Sequence, residues 1–498
     1  MGIIVKQSIK GSLWSYLGVI VGFVTTSYLY PEYLTPEVVG LFGLLMAIAT
    51  ITSQLAALGM GGVTSRLFPY FRDSENGHNG FLFISSLVQL AGFLLFLIGY
   101  YAFKDTLIQT NLEKSRLFAD YVYLIIPLTF FFLIFTFLDT YNKLLYNAVL
   151  GTFLQEFLQR SLILIVVCLY IAGLLNFEQL IIAFTVAVCI KTVILFIYLL
   201  FRGEINMLPK PGFIDKKLKK EIIDVALFSI VGGLGSMIVF NIDKIVVNQM
   251  LDLKNTGVYT IAYYFGTLVI IPSRPLLKIS GTLIADAWHR DDIGQIREIY
   301  YKSCINQFII GGFLFLGIWA NIDNILIILG EDYQQSKWVI FFIGLGYLID
   351  MVTGSNAQVI AFSKYYRISL LFIVILIVIV LFLLAVLIPL WGITGAAVAI
   401  AGGLFLNNLM RYIFLYRKYR LQPFNFRFIV VGLFYLLLFL LAGLIPQKEL
   451  YTDLLLRNSV IVIITVCFFW FVPLSKDITA IKNAMVSYLR QLLAKKQV

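Results

Sequence analysis

Three cations, Arg160, Lys191 and Lys244, fall deep inside long apolar runs of this sequence. An ionised side chain at the centre of a hydrocarbon layer costs roughly 2.5–3.5 kcal/mol on insertion scales, so it faces a partner or a water-filled cavity. Arg160 lies about eleven residues and Lys191 about ten from the same side of the layer, which at ~1.5 Å per residue sets both near the midplane. Two cations at one depth suit a dianionic ligand, held by charge-assisted hydrogen bonds. For Arg160 an intrahelical pair with Glu156, one turn earlier, competes with that reading. Lys191 has no acid three or four residues away, which leaves a partner on another helix or an anionic cargo. Arg411, near the inner end of a later run, either joins a cargo site or snorkels to headgroups. Asn407 and Asn408, one turn earlier, offer hydrogen bonds to cargo or to a neighbouring helix.

The carboxylates in the apolar runs are few. Asp243 and Lys244 are adjacent, and successive helical residues point about 100° apart, so the two address different partners. An outer gate, ion coupling and structural pairing are all open to them. Asp350, in "GYLIDMVTGSNAQ", is the deepest carboxylate of the second half. It either carries a coupling H⁺ or Na⁺ or accepts hydrogen bonds from Ser355 or Asn356 in a helix break. Asp139 reads as interfacial. His78 and His289 sit in polar connections, and Cys168, Cys189, Cys304 and Cys467 are scattered through apolar runs, so no triad, metal cluster or disulfide framework is predicted. There is no GxxxxGK[ST] either, and we expect a protein that is not an enzyme and uses no cofactor or metal.

The elements that must position these residues are membrane helices. The chain is 60% apolar and only 13% charged, where a soluble domain is about a quarter charged, and its mean hydropathy is +0.92. A helix needs about 20 apolar residues to cross ~30 Å of hydrocarbon. Such runs lie near 11–30, 37–58, 80–103, 119–140, 149–173, 178–201, 222–248, 254–275, 302–322, 336–357, 366–388, 392–414, 427–445 and 456–474, fourteen spans in all. The first is too long for a cleaved signal peptide and lacks its small-residue exit, so it reads as an anchor. Of the 38 Lys and Arg, 28 fall on the side of the N-terminus, seven on the other side and three within spans. Basic loops are retained in the cytoplasm, which predicts both termini inside. The same bias explains most of the net charge of +11 through topology and anionic headgroups, without a nucleic-acid partner.

A weak internal repeat divides the chain. A shift of 217 residues sets 34–50, "LTPEVVGLFGLLMAIAT", on 251–267, "LDLKNTGVYTIAYYFGT", pairing Gly40 with Gly257, and sets Ser12 on Ser229. We expect an N-terminal lobe over 1–201, a basic cytoplasmic linker over 202–221 and a C-terminal lobe over 222–414. Spans 13 and 14 follow over 427–474, then a basic amphipathic tail over 475–498. Two copies of six spans that both start inside are related by a pseudo-two-fold axis along the membrane normal. The linker residues Phe213, Ile214, Leu218 and Ile222, set among lysines, suggest an interfacial helix, as do Ile478, Ile481, Met485, Leu489 and Leu492 in the tail. Pro127 should kink span 4, and the "GGLG" at 232–235 lets span 7 bend or approach a neighbour.

The stretch "FSIVGGLGSMIVFNIDKIVVNQMLDLKNTGVYTIAYYFG", with Asn241, Asp243 and Lys244 followed by Gly257 and Tyr259, resembles the start of the second lobe in Wzx-type polysaccharide flippases. These belong to the multidrug/oligosaccharidyl-lipid/polysaccharide (MOP) exporter superfamily. "IPLWGITGAAVAIAGG", at 388–403, is similar to the start of span 12 in the same proteins. The resemblance implies an all-α polytopic, MATE-like fold with a central cavity open alternately to each side of a bacterial inner membrane. It implies as cargo an oligosaccharide on a polyprenyl diphosphate, moved from inner to outer leaflet, with coupling to H⁺ or Na⁺ and contact with other polysaccharide-assembly membrane proteins left open. An ion-coupled drug antiporter and a lipid II flippase of the same fold are the alternatives. A membrane glycosyltransferase fits less well, since no outer connection exceeds about 20 residues and such an enzyme needs a long outer loop with carboxylates.

Overall fold

The structure, a computed structural model, describes residues 3–210, 212–475, 477, 479, 482, 483 and 487. The amphipathic pattern read at Ile478, Ile481, Met485, Leu489 and Leu492 lies outside these. The described residues form helices and connections, as an all-α membrane chain requires when every backbone group must be bonded inside lipid. Among the described residues, eleven helices are long and apolar enough to cross a membrane, and two bent pairs, Lys216–Gly235 with Met237–Met250 and Leu253–Ile270 with Ser273–His289, raise this to thirteen. One of the eleven, Ile368–Tyr419, has 52 residues, which as a straight rod would be more than twice the hydrocarbon thickness. It reverses at Gly392 (φ 56°, ψ −136°), after which Gly395 lies on Leu387, Gly402 on Leu383 and Gly403 on Val380 and Leu376. Its halves are therefore antiparallel and make spans 11 and 12. Dividing it there gives the fourteen spans expected.

The chain forms two compact units, Met1–Ile261 and Ala262–Val498, with the boundary inside the helix Leu253–Thr267. The core of the first gathers Phe68, Phe71, Phe81, Tyr141, Leu195 and Leu199. In the second, spans 13 and 14 (Phe426–Gly443 and Leu450–Phe471) stack Phe434 on Phe468 at 3.9 Å. Tyr435 of span 13 donates to the Ile309 carbonyl of span 9 at 2.5 Å, so the final pair is built into that core.

Three local features differ from expectation. The connections after spans 2 and 8 are helical, over Met60–Phe71 and Ser273–His289. The 217-residue shift carries 60–71 onto 277–288, so the repeat extends through them. In the linker, Asp215 caps a helix that starts at Lys216 and runs on as span 7, its carboxylate accepting from Leu218 N–H at 2.6 Å. Phe213 packs on Phe71 (5.1 Å), and Ile214, Leu218 and Ile222 pack on the first unit's core, so this apolar face is spent on protein and does not form a separate interfacial helix. In span 4, Pro127 falls in the first turn of Ile125–Leu144, where no backbone donor is needed, and the irregularity is a 3₁₀ turn at Val122–Leu124 just before it. Span 7 does bend, by 43°, directly after the GGLG group.

Candidate functional site

Span 6 (Phe177–Phe201) starts at a capping box in which Asn176 accepts from Gln179 N–H (2.8 Å) and the Gln179 side chain accepts from Asn176 N–H (2.9 Å). Thr192 donates to the Phe131 carbonyl at 3.0 Å and holds span 6 against span 4. Lys191, one residue earlier, is thereby carried into the interior of the first unit, where it is 4% exposed. Its Nζ donates to Gln159 Oε1 at 2.7 Å and lies 4.5 Å and 4.8 Å from the ring centres of Phe135 and Phe132. Two ring faces and one carboxamide replace the water around this ammonium.

Span 5 contains a π-helical stretch, Phe153–Leu158, that ends directly before Gln159 and Arg160. Arg160 donates from Nη2 to Glu156 Oε2 (2.9 Å) and from Nη1 to the Gly18 carbonyl of span 1 (3.2 Å). The intrahelical pair is thus formed, and it is partly open, with the two side chains 28% and 21% exposed. Arg160 and Lys191 flank Gln159 but send their hydrogen bonds to different partners. Asp139, 6% exposed, pairs with Lys143 one turn on, against Gly151.

Asp243 is fully buried; its Oδ2 accepts from Tyr259 OH at 2.7 Å, and Lys244 lies within its electrostatic reach. Spans 7 and 8 are therefore joined through the two residues of the "NID" and "GVY" groups. Asn241, in the same group, donates to its own helix, at the Met237 carbonyl.

The second unit brings together candidates from spans 10 and 12. Asn408 donates to Asp350 Oδ1 (2.9 Å), and its own Oδ1 accepts from Thr353 Oγ1 (2.9 Å) and Asn356 Nδ2 (2.8 Å). Arg411 is within electrostatic reach of Asp350. Asn407 is buried and its Oδ1 has no hydrogen-bond partner among the described residues. The expected donors to Asp350, Ser355 and Asn356, bond elsewhere: Ser355 meets Ser303 of span 9 at 2.8 Å and Asn356 serves Asn408. The break after span 10, with Gly354 at φ +57°, turns them away from the carboxylate. Gln159, Phe132, Phe135 and Thr353 are partners of the candidate residues that sequence reasoning missed, because neutral residues in apolar runs carry no signal of their own.

The sequence matches the family described as polysaccharide biosynthesis protein over residues 4–276. The chain belongs to that family. No curated protein matches it. Among solved structures, this polysaccharide biosynthesis protein is similar to the lipid II flippase MurJ in an inward closed conformation, with TM-score 0.71 and 14% identity over 93% of this chain and 99% of that one. It is also similar to an inward-facing multidrug resistance MATE transporter of the MOP superfamily (0.61, 14%, 84% and 95%). A third is the MATE transporter ClbM in complex with Rb⁺ (0.52, 15%, 84% and 95%). At these identities the likeness establishes the fold, which is all-α, polytopic and MATE-like, and the family places the chain among the MOP superfamily flippases.

Proposed function

We propose that the protein is a flippase that moves polyprenyl-diphosphate-linked oligosaccharide, an O-antigen, capsule or related repeat unit, from the inner to the outer leaflet of a bacterial inner membrane by alternating access. Both termini are cytoplasmic in this reading. The family match and the fold it shares with a flippase of a lipid-linked cargo support it. The observation that carries the chemistry is the cation set of the first unit. Lys191 has no carboxylate among its hydrogen-bond partners in the described residues, and one bond to an amide leaves donors for a diphosphate. Arg160, paired with Glu156 through Nη2 but partly open, can exchange that carboxylate for a phosphate oxygen in the same charge-assisted hydrogen bond. Asn407, Asn408 and Arg411 supply a second polar group for the sugar or the phosphates. Asp350 is the coupling site for H⁺ or Na⁺, and Asp243 with Lys244 steadies the outer gate.

The test is a strain lacking the protein, complemented with wild type, Arg160→Ala or Lys191→Ala at equal expression, with periplasmic access of a sugar-specific label as readout. Outer-leaflet sugar should be lost without the protein, restored by wild type and reduced at least about tenfold in either variant. Full restoration by both variants removes the site. Label that never depends on the protein removes the function, and dependence of lipid II exposure instead would identify that cargo. A drug antiporter of the same fold, favoured by the buried oxygen cluster around Asp350 and Asn408, predicts drug resistance in place of sugar exposure.

A further inference from the structure

The internal repeat has a physical counterpart inside the first unit. A Cβ built on Gly40 would collide with the Leu253 carbonyl and lie 3.0 Å from Gly257 N; one built on Gly257 would collide with the Pro36 carbonyl and lie 3.0 Å from Gly40 N. The 217-residue shift that pairs Gly40 with Gly257 also carries Pro36 onto 253 and Gly43 onto 260, and a Cβ built on Gly43 would collide with Thr260, 2.6 Å from its Oγ1. Equivalent residues of the two copies thus meet reciprocally, as a two-fold axis between them requires. The contact lies at the outer ends of spans 2 and 8. Beside it, Asn248 of span 7 donates to Asn111 Oδ1 of span 3 (2.9 Å) and accepts from Ser115 Oγ (2.8 Å), all three buried.

At the opposite end of span 2, a second contact of the same kind joins span 7. A Cβ at Gly59 would strike the Ala226 carbonyl, and one at Gly62 would strike the Ser229 side chain. Between the two ends Gly233 of span 7 rests on the Gln54 side chain. Backbone this close is stable only with hydrogen in place of a side chain, and in lipid it is held by packing and by the weak bonds that small residues permit. Spans 7 and 8 are thus clasped to the first copy at both membrane faces.

We propose that these are the two gates of the transporter: an outer clasp at Gly40 and Gly257, which parts in the outward-open state, and an inner clasp of Gly59 and Gly62 on Ala226 and Ser229, which parts in the inward-open state. This rests on the transport reading above. A methyl group at Gly40 or Gly257 meets a helix carbonyl that cannot rotate aside, so the outer clasp must open. A methyl group at Gly62 meets a side chain, and removing that side chain makes room for it again.

The experiment measures distances between spin labels in purified, cargo-free protein on a cysteine-free background. One pair is at the exposed positions Thr35 and Lys254 (outer), the other at Tyr70 and Asp224 (inner). Gly40→Ala and Gly257→Ala should raise the long-distance fraction of the outer pair about tenfold without lengthening the inner one. Gly62→Ala should lengthen the inner pair alone, and Ser229→Gly added to it should restore the wild-type distribution. Gly99→Ala and Gly317→Ala, where nothing lies within 4 Å, should change neither pair. Should the backbone-contact variants fail to fold, Gly43→Ala with and without Thr260→Gly gives the same outer readout. Unchanged outer distances in stable variants, a response at the wrong face or failure of the second substitutions to restore would overturn the proposal. Distances that respond as stated in a protein that moves no lipid-linked sugar would uphold the clasps and remove the cargo reading, since no sugar enters this measurement.

Discussion

Side-chain hydrogen bonds hold the candidate residues in place, and their strength can be measured singly. Tyr259→Phe removes the hydroxyl that serves fully buried Asp243 and leaves that carboxylate short of a donor. A lost hydrogen bond to a charged group costs about 1.5–3 kcal/mol, so the variant should unfold earlier in detergent than wild type, and an unchanged midpoint would refute the link between spans 7 and 8. Whether such pairs can be read from a sequence depends on how far apart the partners are. Glu156 and Arg160 are one helical turn apart, and their spacing alone announces the bond. Lys191 and Gln159 are 32 residues apart on different spans, and an amide in an apolar run gives no reason to choose it over any other. Asn408 was legible as polar and buried, but its place between Asp350 and the break after span 10 depends on how two helices pack.

Helices that cross the membrane were legible because hydrocarbon thickness imposes their length and composition. The helices that follow spans 2 and 8 were not. Met60–Phe71 and Ser273–His289 are short, amphipathic and carry an internal or early proline (Pro69, Pro275), so they read as polar connections until the 217-residue repeat is seen to contain both. The turn between spans 11 and 12 sits in the "PLWGITG" group, and Gly392 is its decisive residue, because φ 56° with ψ −136° lies in a region essentially confined to glycine. Nothing lies within 4 Å of a Cβ there, so the cost of a side chain is conformational and not steric crowding. Gly392→Ala should destabilise the protein by about 1–3 kcal/mol, read as a lower melting temperature. Gly443→Ala, which also has nothing within 4 Å but has an ordinary helical backbone, should be silent, and equal effects would contradict the assignment.

At the scale of the whole molecule the chain is a polysaccharide biosynthesis protein with a MATE-like fold, and the cargo is the central claim. The most direct measurement reconstitutes the purified protein in liposomes loaded with polyprenyl-diphosphate-linked oligosaccharide in the inner leaflet. Sugar reaching the outer leaflet is counted with a membrane-impermeant glycosidase. Our account predicts that wild type exposes the inner-leaflet sugar well above protein-free liposomes, that Lys191→Ala does so at least about tenfold more slowly, and that a polyprenyl monophosphate carrier competes poorly, because the proposed site meets the second charge with a second cation. Liposomes in which wild-type protein transfers no sugar under an imposed H⁺ or Na⁺ gradient, while retaining its fold, would contradict it.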